Sequence, residues 1–210
     1  MEQVNRKQKS TLRQRQAQAT QELIVKAAQE LFLQRGYVAS TVEEIAARSG
    51  VAVSTVYFAF GSKRAILRAI RQRWHRQSHI KEVLEQARSR ASVGEKLALL
   101  AHGTRRQWET GLAMTQIYRA AASADQEAAK ELREALRGRR AALDGFVAEI
   151  APSLRAGLNV TKAAAILRAL CRVEVYEELV QESGWSTDAY EQWLTSALKS
   201  QLLANQGSAD

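Results

Sequence analysis

Ser54, Thr55, Tyr57 and Phe58 stand within five residues of one another in a short, otherwise apolar stretch of a 210-residue chain. Hydroxyls hydrogen-bond base edges and phosphates, and an aromatic ring can meet a thymine methyl. The chemistry open to this cluster is therefore recognition of DNA. Bond-making chemistry finds less support. His75, His79 and Glu82 fall at i, i+4 and i+7 and would share a helix face with metal-ligand spacing. Arg73, Arg76 and Lys81 surround them with positive charge, and no second ligand cluster accompanies them. No Gly-rich phosphate loop follows a strand, and no strand pattern exists at all. Cys171, the single cysteine, sits amid Leu170 and Val173 as a small buried hydrophobe. The sequence thus predicts no catalytic site, no metal and no cofactor.

The elements that must position the cluster are short helices. Thr41 with Glu44 is a capping-box pattern, in which each side chain satisfies an orphan amide at a helix start. Val42, Ile45 and Ala46 then share one face. Gly50 falls where that helix must stop and turn, since glycine reaches positive φ without steric cost. Val53 to Phe60 makes the second helix, with Val53, Val56 and Phe60 as its inner stripe and the hydroxyls and aromatics outside. Ahead of both, Ala17 to Arg35 is periodic in Leu23, Ala27, Ala28, Leu31 and Phe32, and Gly36 stops it. After them, Ser62 is a plausible N-cap of a helix that continues through Ile66, Leu67, Ile70 and Trp74. Lys63 and Arg64 lie in its first turn, where cations oppose the macrodipole, and a DNA phosphate is the obvious compensating anion.

Charge is distributed to match. Residues 1–80 carry 14 Lys and Arg against 5 Asp and Glu, while residues 81–210 carry 17 of each. The whole net charge of +9 therefore lies with the helix-turn-helix, the footprint of a polyanion partner. Residues 1–16 hold little that could form a core and read as a flexible basic arm. No apolar run approaches the ~18 residues of a membrane span. The first residues lack the apolar core of a signal peptide, and the lone cysteine fits a reducing compartment. A cytoplasmic protein without a membrane partner is expected.

The stretch from Thr41 to Lys63 resembles the signature region of the TetR family of bacterial transcriptional regulators. The resemblance rests on Thr41-Val42-Glu43-Glu44-Ile45-Ala46, Gly50-Val51, Thr55-Val56-Tyr57, Phe60 and Gly61-Ser62-Lys63. Two positions depart from the family pattern: Val53, where a basic residue is common, and Ala59, where histidine or tyrosine is common. The resemblance implies an all-α chain, with an N-terminal three-helix DNA-binding domain and a C-terminal helical ligand-binding and dimerisation domain. The expected divisions are an arm at 1–16, the helix-turn-helix domain at 17–62, a connecting helix at 63–82 and the second domain at 83–210. The DNA-binding set is Thr41, Val53, Ser54, Thr55, Tyr57, Phe58 and Lys63. Within it, Ser54, Thr55 and Phe58 face bases, and Thr41, Tyr57 and Lys63 hold phosphates.

The second domain reads as five helices: Val93 to Trp108, Met114 to Ala122, Asp125 to Ile150, one capped by Asn159 and running to about Glu182, and one capped by Ser186. Pro152 ends the third. The last two have wide apolar faces, coverable by the chain's own core or by a second copy. The resemblance implies a homodimer through Ile166, Leu170, Val173, Tyr190, Trp193, Leu194, Ala197 and Leu198, matching a palindromic operator in double-stranded DNA. It also implies a repressor, not an enzyme, released by a small-molecule effector of unknown identity. Trp108, Met114, Tyr118, Cys171, Glu174 and Tyr176 are the candidate effector residues, being aromatic, sulfur-containing or charged positions in the second domain. Glu174 interrupts an apolar face, and its partner is either a cationic ligand or one of Arg105, Arg106 and Arg119.

Overall fold

The structure, a computed structural model, describes residues 2–78 and 92–204. These are helical, with no strand among the described residues beyond an isolated bridge between Leu154 and Leu203. The helices are α1 (Glu2–Arg35), α2 (Val42–Ser49), α3 (Val53–Phe60), α4 (Lys63–Ser78), α5 (Val93–Ala122) and α6 (Gln126–Glu149). They continue, after a 3-10 turn at Ala151–Ser153, with α7 (Val160–Leu170), α8 (Val173–Tyr176), a π-helical turn (Glu177–Glu182) and α9 (Thr187–Leu202). Of the histidine pair with metal spacing, His79 lies outside the described residues, as does Glu82.

Several helix limits differ from expectation, each for a physical reason. Helix α1 starts at Glu2, not Ala17. The stretch read as an arm is rich in Gln, Arg and Lys, all good helix formers, with no Gly or Pro before Gly36. Helix α5 is one element where two were expected, because Gly103 and Gly111 do not break it. Both are buried, and the ~1 kcal/mol that each helical glycine costs does not break the helix. The long helix expected after Asn159 is interrupted instead: Arg172 is extended (φ −69°, ψ 151°) between α7 and α8. The Cys171 carbonyl at that break accepts from Arg139 Nη2 at 2.6 Å and Trp108 Nε1 at 3.2 Å. These side-chain donors stand in for the helical amide.

The chain forms two compact units whose limits follow contacts, not sequence order. The first combines residues 1–74 with 113–132, and the second combines 75–112 with 133–210. In the first, Ile24, Ala28, Ile45, Ala46, Val56, Ile66, Leu67 and Ile70 are buried together with Ile117, Tyr118, Ala121 and Ala128. Complete burial of each large aliphatic here stabilises by about 1.5–3 kcal/mol. Leu23, expected on the inner face of α1, is 55% exposed, and its neighbour Ile24 points inward instead. The core of the second unit runs from Leu97, Ala101 and Trp108 of α5 through Leu143 and Val147 of α6 to Leu167, Tyr190, Leu194 and Leu198.

Candidate nucleic-acid interface

The expected capping box is present at α2. Thr41 Oγ1 accepts from the Glu44 amide at 3.2 Å, and the Thr41 amide donates to Glu44 Oε2 at 2.9 Å. Gly50 closes α2 in the left-handed region (φ 71°), a conformation that favours glycine over residues with a Cβ. Two residues later Ala52 begins α3 with no side-chain cap, so the first amides of α3 have no side-chain partner. Val56 is buried against α1 and α2, and this fixes which side of α3 faces out. Phe58 is 94% exposed and Tyr57 48% exposed, with Ser54 open beside them and Thr55 half-buried. Thr41 is exposed at the start of α2. Hydroxyls and two rings therefore share the outer side of the motif.

Two members of the expected set are placed otherwise. Val53 is half-buried and packs against the core of its unit, as the alternation of α3 requires. Lys63 turns its ammonium inward. Its Nζ donates to the carbonyls of Tyr37 and Ser40 at 2.8 Å each and of Val38 at 3.3 Å, and it lies 4.5 Å from the centroid of the Tyr37 ring. An ammonium has three donors, and all three have protein acceptors. Burial lowers the Lys63 pKa, with Asp125 opposing the shift. The cation at the wrong end of α4 is thus compensated by loop carbonyls, and its geometry is that of a brace between α4 and the 36–41 turn. That turn is held from its other side by Ser40 Oγ, which donates to the Gly36 carbonyl at 2.8 Å.

Sequence reasoning missed the acidic clamp on α4. Arg64 Nε donates to Asp125 Oδ2 at 3.2 Å, and Tyr37 Oη reaches the same oxygen at 3.4 Å. Arg68 Nε lies 2.9 Å from Glu131 Oε1, and Arg71 lies 3.8 Å from Glu131 Oε2. Tyr118 Oη donates to Glu131 Oε2 at 3.1 Å. Burial pushes the Tyr118 pKa above the ordinary phenol value. The i, i+4 and i, i+7 spacing of Arg64, Arg68 and Arg71 was a visible signal for such a clamp. Its acidic partners, more than fifty residues away, were not.

The six candidate effector residues are divided between the two units. Met114 and Tyr118 belong to the first unit, where Tyr118 is core, while Trp108, Cys171, Glu174 and Tyr176 belong to the second. Trp108, Cys171 and Tyr176 are buried in one cluster. Glu174 is half-exposed in the first turn of α8, with its Oε2 accepting from Arg172 Nε at 3.0 Å. The helix break at Arg172 rotates Glu174 off the apolar face that a continuous helix would have given it.

Of the expected dimer residues, Val173, Tyr190, Leu194 and Leu198 are buried within the unit of a single chain. They are core positions and are not available to a second copy. Ile166 and Leu170 of α7, with Trp193 and Ala197 of α9, are half-buried and remain partly open. Periodicity identifies an apolar face, but what covers each residue of it depends on the other helices.

The family model described as bacterial regulatory proteins, tetR family, matches residues 24–70, the span from late α1 through the first half of α4. Among solved structures, the SmeT–triclosan complex is similar over 90% of this chain and 93% of that chain, at 22% identity and a TM-score of 0.71. NalD of Pseudomonas aeruginosa, the secondary repressor of the MexAB-OprM multidrug efflux pump, is similar over 91% of this chain and 99% of that one (18% identity, TM-score 0.69). The fatty acid degradation regulator FadR from Bacillus halodurans is similar over 85% and 94% respectively (20% identity, TM-score 0.68). At these identities the likeness is one of fold. Comparison with curated proteins finds no match.

Proposed function

We propose that this chain, a TetR-family helix-turn-helix protein by its match at residues 24–70, is a transcriptional repressor that binds a palindromic operator as a homodimer and leaves it when a small-molecule effector binds. The outer face of α3 carries the reading. Phe58, almost fully exposed, stands beside Ser54 and Tyr57 on an eight-residue helix anchored from behind by Val56. A helix of that size fits the major groove, where the ring can cover a thymine methyl and the hydroxyls can bond base edges. The basic excess of residues 1–80 supplies the sequence-independent part of the affinity. A cytoplasmic location follows from a DNA partner, and no described helix is long and apolar enough to cross a membrane.

Dimerisation is assigned to the partly open residues of α7 and α9, namely Ile166, Leu170, Trp193 and Ala197. The repressor sign and the effector rest on likeness to NalD, a repressor, and to SmeT, solved with triclosan. The deciding experiment is footprinting of the purified protein on genomic DNA. A two-fold symmetric protected site with half-sites one helical turn apart, or a multiple of it, is expected. Protection without sequence preference, or of a site lacking symmetry, would overturn the reading.

A further inference from the structure

Arg139 of α6 is half-buried in the second unit, with no carboxylate partner among the described residues. Its Nη1 donates to Gln107 Oε1 at 2.5 Å and its Nη2 to the Cys171 carbonyl at 2.6 Å. The guanidinium lies 4.7 Å from the centroid of the Trp108 ring. Both hydrogen-bond acceptors are neutral. The carbonyls ending α7 offer about half an elementary charge at most, so most of a full positive charge is left without a counter-charge. Buried charges are ordinarily paired, because removal from water is costly without an opposite charge nearby.

A second, independent irregularity lies in the same cluster. Tyr190 of α9 is fully buried, and its hydroxyl has no hydrogen-bond partner. Buried phenols ordinarily find one. The Tyr190 and Tyr176 rings meet edge to face at 5.0 Å, and both belong to the apolar cluster that holds Trp108 and Cys171. Arg139 meets this same cluster, through the Trp108 ring and the Cys171 carbonyl. Burial raises the pKa of both Cys171 and Tyr190, so neither supplies a negative charge to Arg139.

We infer that Arg139 and Tyr190 form the polar end of a binding site for a small organic monocarboxylate with an apolar body, the guanidinium and the phenol both donating to its carboxylate. The inference rests on the effector reading above and adds the ligand's chemical class. An incoming carboxylate supplies the missing counter-charge, gives the Tyr190 hydroxyl its acceptor and displaces neutral Gln107 from Nη1. A planar guanidinium suits a carboxylate because its N–H groups match the two oxygens. The surrounding rings of Trp108 and Tyr176 suit the apolar remainder of the ligand.

The test is calorimetric titration of the full-length protein with benzoate, 3-phenylpropionate and octanoate, beside their uncharged amides. The same ligands are also assayed for release of the footprinted DNA. At least one acid should bind ten-fold or more tightly than its amide. Tyr190→Phe removes only the orphan hydroxyl, and should melt no lower than wild type while binding that acid about ten-fold more weakly. Arg139→Lys should lower acid affinity by a similar factor and leave the amide unaffected. The inference is overturned if no acid binds, if amides bind equally well, or if Tyr190→Phe binds the acid as wild type does. Operator binding without ligand is scored separately. Acid binding by a protein that recognises no operator would refute the regulator reading and support the site, and the converse result would do the reverse.

Discussion

Asp125 Oδ2 receives Arg64 Nε at 3.2 Å while Asp125 Oδ1 accepts the backbone amides of Glu127 and Ala128 at 3.0 and 3.1 Å. One carboxylate therefore caps the start of α6 and holds the first turn of α4, which follows directly on α3. Its pKa lies below the ordinary value, chiefly through the Ala128 amide, with Arg64 adding to the shift.

A pH dependence follows from that shift. A carboxylate with a lowered folded-state pKa contributes stability that is complete above its ordinary value near 4 and is lost as pH falls through the folded value. Asp125→Ala should cost about 0.5–2 kcal/mol at pH 7, the range for loss of an N-cap. Asp125→Asn keeps a cap acceptor and should cost less, while flattening the acid limb below about pH 4. Chemical denaturation between pH 3 and 7 checks both variants. An unchanged acid limb in Asp125→Asn would show that the group does not carry this dependence.

Lys63 separates bracing from phosphate contact. Its three carbonyl partners predict that Lys63→Met lowers stability by about 1–3 kcal/mol, as a lost charged hydrogen-bond donor does. Operator affinity should fall with it, while the slope of affinity against salt stays constant. A slope reduced by about one charge per subunit, with stability unaffected, would restore Lys63 to the phosphate set.

Phe58→Ala should behave oppositely. The side chain is almost wholly exposed, so stability should move by no more than about 0.5 kcal/mol. Operator affinity should drop most on sites with a thymine at the contacted step, by about 1–3 kcal/mol. Equal affinity of the variant across all operator sequences would remove Phe58 from the base-reading set.

The α7 and α9 faces predict two distinguishable outcomes. Leu198 is fully buried within one chain, so Leu198→Ala should cost about 2–5 kcal/mol of folding stability by cavity formation. Ile166 is half-buried, and Ile166→Glu should leave the helical content intact while sedimentation reports a monomer. A folded Ile166→Glu protein that still sediments as a dimer places the interface elsewhere.

The helix-turn-helix was legible because its determinants are local. Thr41 and Glu44 cap within three residues, Gly50 turns within one, and the alternation around Val56 decides which side of α3 faces out. Interactions that close within a few residues leave their signature in spacing, and the charge imbalance of residues 1–80 needed only counting. Phe58, Ser54 and Tyr57 were legible as the outward face for the same reason. The roles of Lys63, Glu174, Tyr118 and Leu198 were not, because each depends on a partner from another element. The Lys63 ammonium found carbonyls 23 to 26 residues earlier in the chain. The Cys171 carbonyl was captured by Arg139 and Trp108, which broke the predicted helix and turned Glu174 to the surface. An apolar face in sequence states that burial must occur, but only packing of the other helices decides that α9 buries Leu198 in its own chain and leaves Trp193 half open. Periodicity determines which side of a helix is apolar; three-dimensional contact alone determines what meets it.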